Sequence, residues 1–152
     1  YYCESYGIPV LTLTNVTGYA ATMAEEKTIA AAAAKLTAAF ASATVPKVNL
    51  ITKKAYGTAY VTMNSKHLGA DMVFALEGAE VGMMDAKSAA QIMYADEISA
   101  ASDKAAVIEE KAAEYVKLQS DASQAAARGY VDVIISPESV RKQLVYAFEM
   151  LY

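Results

Sequence analysis

Short apolar runs separated by helical stretches are the feature of this sequence that most limits its fold. Ile8 to Asn15 (IPVLTLTN) alternates apolar residues with threonine after a Gly-Ile-Pro punctuation, the period-two mark of a strand. Val48 to Ile51 (VNLI), Val73 to Leu76 (VFAL), Ala79 to Met84 and Val131 to Ile135 (VDVII) are the further strand candidates. Between these runs the pattern changes to that of helices, so the class is α/β. No solenoid-length repeat and no low-complexity linker divides the chain, and 152 residues are enough for a single domain, 1–152, with a buried core.

The helical stretches carry start and stop signals. Ala24 to Ala43 is dominated by alanine, with Glu25 and Glu26 in the expected first turn, where a negative charge is favourable. Its small side chains allow close approach of a neighbouring backbone, within the domain or across a subunit interface. Val16 to Met23 before it reads as a loop around Gly18, and Val45-Pro46 after it ends the helix. Lys53 to Tyr60 leads out of the second strand; Gly57 opens a short helix, whose body is expected over Ala59 to Lys66. Asp85 is the expected N-cap of a helix reaching Tyr94, and Ser102 to Leu118 has the alternating charges of a mostly exposed helix. Gly129 is a helix stop, and Ser136-Pro137 opens a last helix with Leu144, Val145, Phe148 and Leu151 on one stripe.

Charge and cysteine usage exclude several function classes. With 17 acidic against 13 basic residues, a net charge of −4 and no basic tract, the long-range field repels a phosphate backbone, so no nucleic-acid partner is expected. The longest uncharged stretch, Ser5 to Ala24, is broken by Pro9, Asn15, Gly18 and several threonines, which makes it too polar to span a membrane. Cys3 is the lone cysteine, so no intrachain disulfide and no CxxC site can be drawn, and a reducing, cytoplasmic setting fits best. The chain starts at Tyr1 without an initiating Met and enters an apolar segment almost at once, as a fragment of something longer would.

Side-chain chemistry is sparse. His67 is the one histidine and has no plausible Cys or Asp-Glu partner near it in sequence, so a metal site or a Ser-His-acid triad has little support, and a hydrogen-bonded histidine that positions a helix end is the plainer reading. Glu77, Glu80 and Asp85 lie near strand ends, where ordinary loop charges also lie. Backbone chemistry remains. The first amides of the helix opened by Gly57 have no intrahelical acceptor and point beyond the strand end, where preorganised N–H donors can hold an oxyanion. A glycine serving only a tight turn is the competing reading of the same residue.

Ala43-Thr44-Val45-Pro46-Lys47-Val48, then Ile51-Thr52-Lys53-Lys54-Ala55-Tyr56-Gly57-Thr58-Ala59-Tyr60, then Ser65-Lys66-His67-Leu68-Gly69-Ala70-Asp71 resemble, in order, the ATVP-x-V, IT-[RK]-KAYGGAY and SKHLGAD motifs of biotin-dependent carboxyltransferase subunits. That family includes the β subunits of propionyl-CoA and methylcrotonyl-CoA carboxylase and the carboxyltransferase of glutaconyl-CoA decarboxylase. Ala79-Glu80-Val81 with Met84, and Ala126 to Ile134 (AARGYVDVI), extend the match, and the closing helix at Ser136-Pro137 is similar too. The resemblance runs nearly end to end.

It implies a crotonase-like fold, a superhelix of stacked β-β-α units whose strand-end turns offer peptide amides to an oxyanion. It also implies two such domains per subunit, with the active site where the N-terminal domain of one subunit meets the C-terminal domain of another in a homo-oligomer. This chain corresponds to the C-terminal, biotin-side half, with the N-terminal carboxyltransferase domain absent. The implied partners are a biotin carboxyl carrier protein, which bears the biotin on a separate domain, and a biotin carboxylase or membrane decarboxylase subunit; the implied substrate is an acyl-CoA. Loss of CO2 from carboxybiotin leaves an enolate oxygen that needs amide donors, and the biotin nitrogen can take the proton of the acyl α-carbon, so no catalytic histidine is required.

Position by position, the family's oxyanion amides fall on Thr58 and Ala59, after Gly57. Val61 falls where the family lines its acyl pocket, and Gly18 and Tyr19 fall on its Pro-Gly-Phe loop at the biotin-facing wall. Departures accompany these matches. Thr58 stands in place of a glycine, adding a β-branched side chain and losing access to torsions that glycine tolerates. Asn15-Val16-Thr17-Gly18-Tyr19 replaces Asp-x-Pro-Gly-Phe, Met84-Asp85-Ala86-Lys87-Ser88 replaces Met-Gly-Pro-Glu-Gly, and Ile29 to Leu36 (IAAAAAKL) replaces IRHGAKLL. These changes imply a reshaped site or, as an alternative, a divergent assembly domain without catalysis, whose Ala-rich helix and Met83, Met84 and Met93 serve subunit packing. A free-standing hydratase or isomerase of the crotonase group, with Glu80 as its carboxylate, is a third reading.

Overall fold

β2 (Lys47–Tyr56) organises the domain; its residues from Lys47 to Ile51 are all buried, as expected of a strand covered on both faces. The structure, a computed structural model, describes residues 1–20 and 22–152. β1 (Val10–Val16) runs parallel to β2 on one flank, with a register irregularity between Thr14 and Val16. The other flank is shared: β3 (Met72–Leu76) pairs with Val48 to Ile51, and β4 (Glu80–Gly82) pairs with Lys54 to Tyr56, both parallel. β5 (Val133–Ile135) adds to the outer side of β3. Parallel neighbours require crossover connections, and the helical segments between the strands supply them.

Alternation along the strands splits the core into two layers. Ile51, Val73 and Ala75 face one layer together with Tyr60, Ala122, Ala125 and Val131. Val48, Leu50 and Phe74 face the other, where Leu144, Phe148 and Leu151 of α9 (Val140–Leu151) pack on them. Several buried polar groups are paired across the elements. Thr14 donates its hydroxyl to Asn49 Oδ1 at 2.7 Å, and Asn49 Nδ2 donates to the Met63 carbonyl at 3.2 Å. Lys47, 6% exposed, turns its ammonium onto the carbonyls of Ala43 (2.6 Å) and Phe40 (3.1 Å), at the negative end of α3 (Ile29–Ser42), where a cation is favoured.

Several boundaries differ from those expected. A first helix, α1 (Tyr2–Tyr6), precedes β1 and ends on Gly7 in the left-handed conformation, φ 64°. Ala24 to Ala43 is divided into α2 (Met23–Glu26), capped by the Thr22 side chain, and α3, with the break at Lys27-Thr28. Ala21, inside the expected loop, lies outside the described residues. β2 runs past Ile51 to Tyr56 because β4 gives its second half a partner. Consequently α4 (Gly57–Val61) starts and ends before the expected Ala59 to Lys66; Asn64, at φ 53°, turns the chain, and Lys66–Leu68 is a separate 3-10 turn.

Asp85 caps α5 (Ala86–Met93) as expected, accepting from the amides of Lys87 and Ser88, and α6 (Ala95–Ala100) follows. α7 (Lys104–Tyr115), capped by Asp103, starts two residues after the expected Ser102 and ends in a π turn, Val116–Ser120. α8 (Ala122–Ala127) stops before Gly129. A 3-10 turn at Pro137–Ser139 precedes α9, so Ser136 makes no side-chain cap, and Val145 is half exposed instead of lying with its expected stripe. Among the described residues no helix is long and apolar enough to cross a membrane.

Candidate active site

Where β2 ends, Gly57 adopts φ 62°, and a Cβ placed on it would lie 3.1 Å from the Met83 carbonyl oxygen. Both the torsion and the close approach call for glycine. α4 starts here, so the amides of Thr58 and Ala59 have no acceptor within the helix, and among the described residues neither bonds to another backbone carbonyl. Thr58 is not strained by its extra methyl and hydroxyl: among the described residues, Asn64 is the non-glycine residue at positive φ. The family's glycine is thus replaced without a forbidden torsion.

A cavity of about 740 Å³ opens against α4. Gly57, Thr58, Tyr60 and Val61 form one wall, and Val81, Gly82 and Met83, from β4 and its exit, form another. Tyr115 and Gln119 enter from the end of α7 and its π turn, Ala125 and Arg128 from α8 and its stop, and His67 and Tyr130 complete the lining. Among the described residues no aspartate or glutamate lines it. Ala59 contributes no lining; it is 3% exposed.

Tyr60 is 4% exposed, and its hydroxyl is buried without a hydrogen-bond partner among the described residues. Burial, and then the neighbouring Tyr130, pushes its pKa up to about 12, so at neutral pH it is a donor-bearing phenol. His67 stacks on Tyr130, ring centroids 4.9 Å apart, and meets Tyr60 edge-on at 6.2 Å. The histidine, in the 3-10 turn Lys66–Leu68, therefore belongs to an aromatic wall of the cavity, and among the described residues its side chain makes no hydrogen bond. Arg128 is held by Gln119, donating Nη2 to the side-chain oxygen at 2.7 Å and Nη1 to the backbone carbonyl at 3.4 Å.

The other expected site residues lie apart from this lining. Tyr19 meets α4 through its hydroxyl, 3.3 Å from the Thr58 carbonyl oxygen and 3.2 Å from Thr62 Oγ1; neither Tyr19 nor Gly18 lines the cavity. Glu80 accepts a hydrogen bond from the Tyr56 hydroxyl. Burial, and then that carboxylate, raises the Tyr56 pKa. A carboxylate so engaged, and outside the lining, is poorly placed for the hydratase role considered for it. Asp85 closes its loop as a helix cap, its pKa lowered chiefly by hydrogen bonds from Ser88. Among the described residues no cluster of three or more His, Cys, Asp or Glu could hold a metal ion.

Sequence reasoning missed Tyr115, Gln119, Arg128 and Tyr130 as lining residues. The last two stand inside the AARGYVDVI match, which was the available signal; the first two reach the cavity through a π turn that no residue pattern announces.

The carboxyl transferase domain profile matches residues 1–152. A Bacillus subtilis (strain 168) chain named as a propionyl-CoA carboxylase beta chain is 48% identical over 151 residues, which is 99% of this chain and 30% of that one. The methylmalonyl-CoA decarboxylase subunit alpha of Propionigenium modestum is 43% identical over 150 residues, 98% of this chain and 29% of its own length. This chain therefore spans less than a third of these curated relatives. A crystal structure of the transcarboxylase 12S hexamer, with methylmalonyl-coenzyme A and methylmalonic acid bound, superposes with a TM-score of 0.91 at 39% identity, covering 98% of this chain and 29% of that one. With this α/β architecture and that neighbour the fold is crotonase-like, and the chain belongs to the carboxyl transferase domain family.

Proposed function

We propose that this chain is the C-terminal, biotin-facing domain of a carboxyltransferase that moves a carboxyl group between biotin and an acyl-CoA. The observation that carries the reading is the cavity lined by the start of α4: Thr58 stands at its wall and Ala59 directly behind it, their amides without helical acceptors, after a glycine that a close backbone carbonyl makes hard to replace. At about 740 Å³ it lies in the range of small-molecule sites, and its donors suit the urea carbonyl of biotin. Biotin, when bound, supplies a nitrogen that carries the carboxyl group. The chain's own part is to orient that ring, to give Thr58 and Ala59 N–H groups to the oxygen on which negative charge builds, and to offer Val61 as an apolar wall for the acyl group. Preorganised donors of this kind contribute about 3 kcal/mol each to an anionic transition state. The tie between Tyr19 and the Thr58 carbonyl gives the Gly18-Tyr19 loop a role in setting the angle of α4 toward the ligand.

The partners in this reading are an N-terminal carboxyltransferase domain, a biotin carboxyl carrier protein, a biotin carboxylase or membrane decarboxylase subunit, and further copies in a homo-oligomer, in the cytoplasm. The relatives' names make propionyl-CoA and methylmalonyl-CoA the first acyl pair to test. Thr58→Pro deletes one N–H at a position where the first helical turn accepts proline. In the assembled enzyme it is expected to lower carboxyl transfer to biocytin about 100-fold, while Thr58→Gly, which keeps the N–H, stays within a fewfold of the parent. Equal rates for Thr58→Pro and the parent would remove the oxyanion role. A second reading, an assembly domain without catalysis, draws on the groove between the sheet and α9, where Leu13 is 60% and Val145 47% exposed; an assembled complex that never transfers a carboxyl group would favour it.

A further inference from the structure

The peptide unit that joins Thr58 to Ala59 is loaded unevenly. Its carbonyl oxygen accepts from two donors: the Thr62 amide, one helical turn on, at 3.1 Å, and the Tyr19 hydroxyl at 3.3 Å. Its N–H, which is the Ala59 amide, has no acceptor within the helix and bonds to no other backbone carbonyl among the described residues. A carbonyl oxygen has two lone pairs, and here each faces a donor. Electron density drawn toward that oxygen leaves the nitrogen end of the same resonance-coupled unit more positive, so the free N–H is a stronger donor than an unloaded peptide offers.

The hydroxyl is held where it can do this. Tyr19 Oη lies 3.2 Å from Thr62 Oγ1, and Thr62 Oγ1 in turn donates to the Ala59 carbonyl at 2.9 Å. With its own proton on Ala59, Thr62 offers Tyr19 a lone pair, and the phenol proton is shared between that oxygen and the Thr58 carbonyl. Tyr19 does not line the cavity, so it reaches a bound ligand only through the peptide. It stands where the Pro-Gly-Phe pattern has phenylalanine, so the hydroxyl is an addition to that pattern.

We propose that Tyr19 is a positioning residue for carboxyl transfer that acts by polarising the Thr58–Ala59 peptide, so that the Ala59 N–H holds negative charge on the biotin oxygen more strongly than the same turn would without the phenol. The inference rests on the carboxyl-transfer reading and deepens it: Thr58 and Ala59 supply the donors, and Tyr19 sets the strength of the second. It differs from a tie that only fixes the angle of α4, because donor strength must then follow the acidity of the phenol.

Kinetics of the assembled enzyme with biocytin test this. A donor of this kind is worth about 100-fold in rate, and a neighbouring hydrogen bond strengthens it by about 10–30%. Tyr19→Phe should therefore lower kcat about two- to fourfold, while KM for biocytin and the melting temperature stay at the parent's values, as for an interaction realised in the transition state. Tyr19→3-fluorotyrosine, whose phenol is the better donor, should raise kcat above the parent at a pH that keeps that phenol protonated. With carbon-13 in the ureido carbonyl of bound biocytin, the infrared stretch should rise in Tyr19→Phe and fall in the fluorotyrosine variant, a signature that a packing role would not give. Thr58→Pro in the same assay separates the outcomes. If it loses transfer while the Tyr19 series is flat in rate and in stretching frequency, the polarising role is overturned and the transfer reading stands. A slow Tyr19→Phe beside a parent-like fluorotyrosine variant leaves only the angle and overturns the proposal as well. If Thr58→Pro transfers at the parent rate, the transfer reading falls and takes this role with it.

Discussion

At Gly57 the left-handed torsion and the Met83 carbonyl act together. Gly57→Ala must pay the torsional strain, about 1–2 kcal/mol, and also push back a backbone oxygen, so a melting-point drop of several degrees is expected alongside a loss of transfer that Thr58→Gly does not show. Tyr60 supplies a pH test. Its folded pKa is raised to about 12, above the value near 10 of an unfolded tyrosine. Its stabilising contribution is therefore complete below about pH 10 and is lost as the pH rises toward 12. Urea titrations at pH 9 and pH 11 should show a steeper alkaline loss in the parent than in Tyr60→Phe. At the acid end Asp85 has a lowered pKa, so its contribution is present above the ordinary value near 3.8 and lost below it. Asp85→Ala should destabilise by about 1 kcal/mol at pH 7 and by less at pH 3. Gly57 and Asp85 were legible in the sequence because a strand exit and a helix start dictate those residue types locally. The burial of Tyr60 was not, since it depends on a core cluster assembled from β2, β3 and α8.

Among the elements, β2 shows why boundaries escape a reading of pattern alone. Thr52, Lys53 and Lys54 look like the end of a strand, yet the strand continues because β4 arrives alongside it; a partner 26 residues away from Lys54, at Glu80, is invisible to local periodicity. Asn49 is the polar pin of this strand. Asn49→Ala would leave the Thr14 hydroxyl and the Met63 carbonyl without their partners, a loss of about 2–4 kcal/mol, measurable by chemical denaturation. The π turn after α7 raises a different point. It widens one turn by a residue, and Tyr115 and Gln119 both meet the cavity there. Deleting Leu118, which is 56% exposed, should restore α-helical phase, swing Gln119 by roughly 100° and release Arg128 while leaving the core intact. The sequence of the helix carried no sign of this, because a π turn is decided by what the flanking elements must reach.

For the whole molecule, the motifs in their order carried the fold, and the layering followed from strand alternation. What they did not carry is the large apolar groove of about 1000 Å³ between the sheet and α9, with Leu11, Leu13, Leu144 and Phe148 in its walls. Its rim carries exposed apolar side chains, Leu11 at 42% and Leu13 at 60%. The 152-residue chain on its own is expected to bind a hydrophobic dye and to sediment with concentration-dependent size, both reduced in Leu13→Lys, and to show no carboxyl transfer to free biotin in a coupled assay. β2 has a further consequence. Gripped along one side by β1 and along the other by β3 and then β4, it cannot fray from either end, so its peptide hydrogens should trade for deuterium only when the entire domain opens. Mass spectrometry of exchanged peptides would then read the global unfolding free energy from this strand alone, while α1 and the outer rim of β1 swap their hydrogens orders of magnitude sooner.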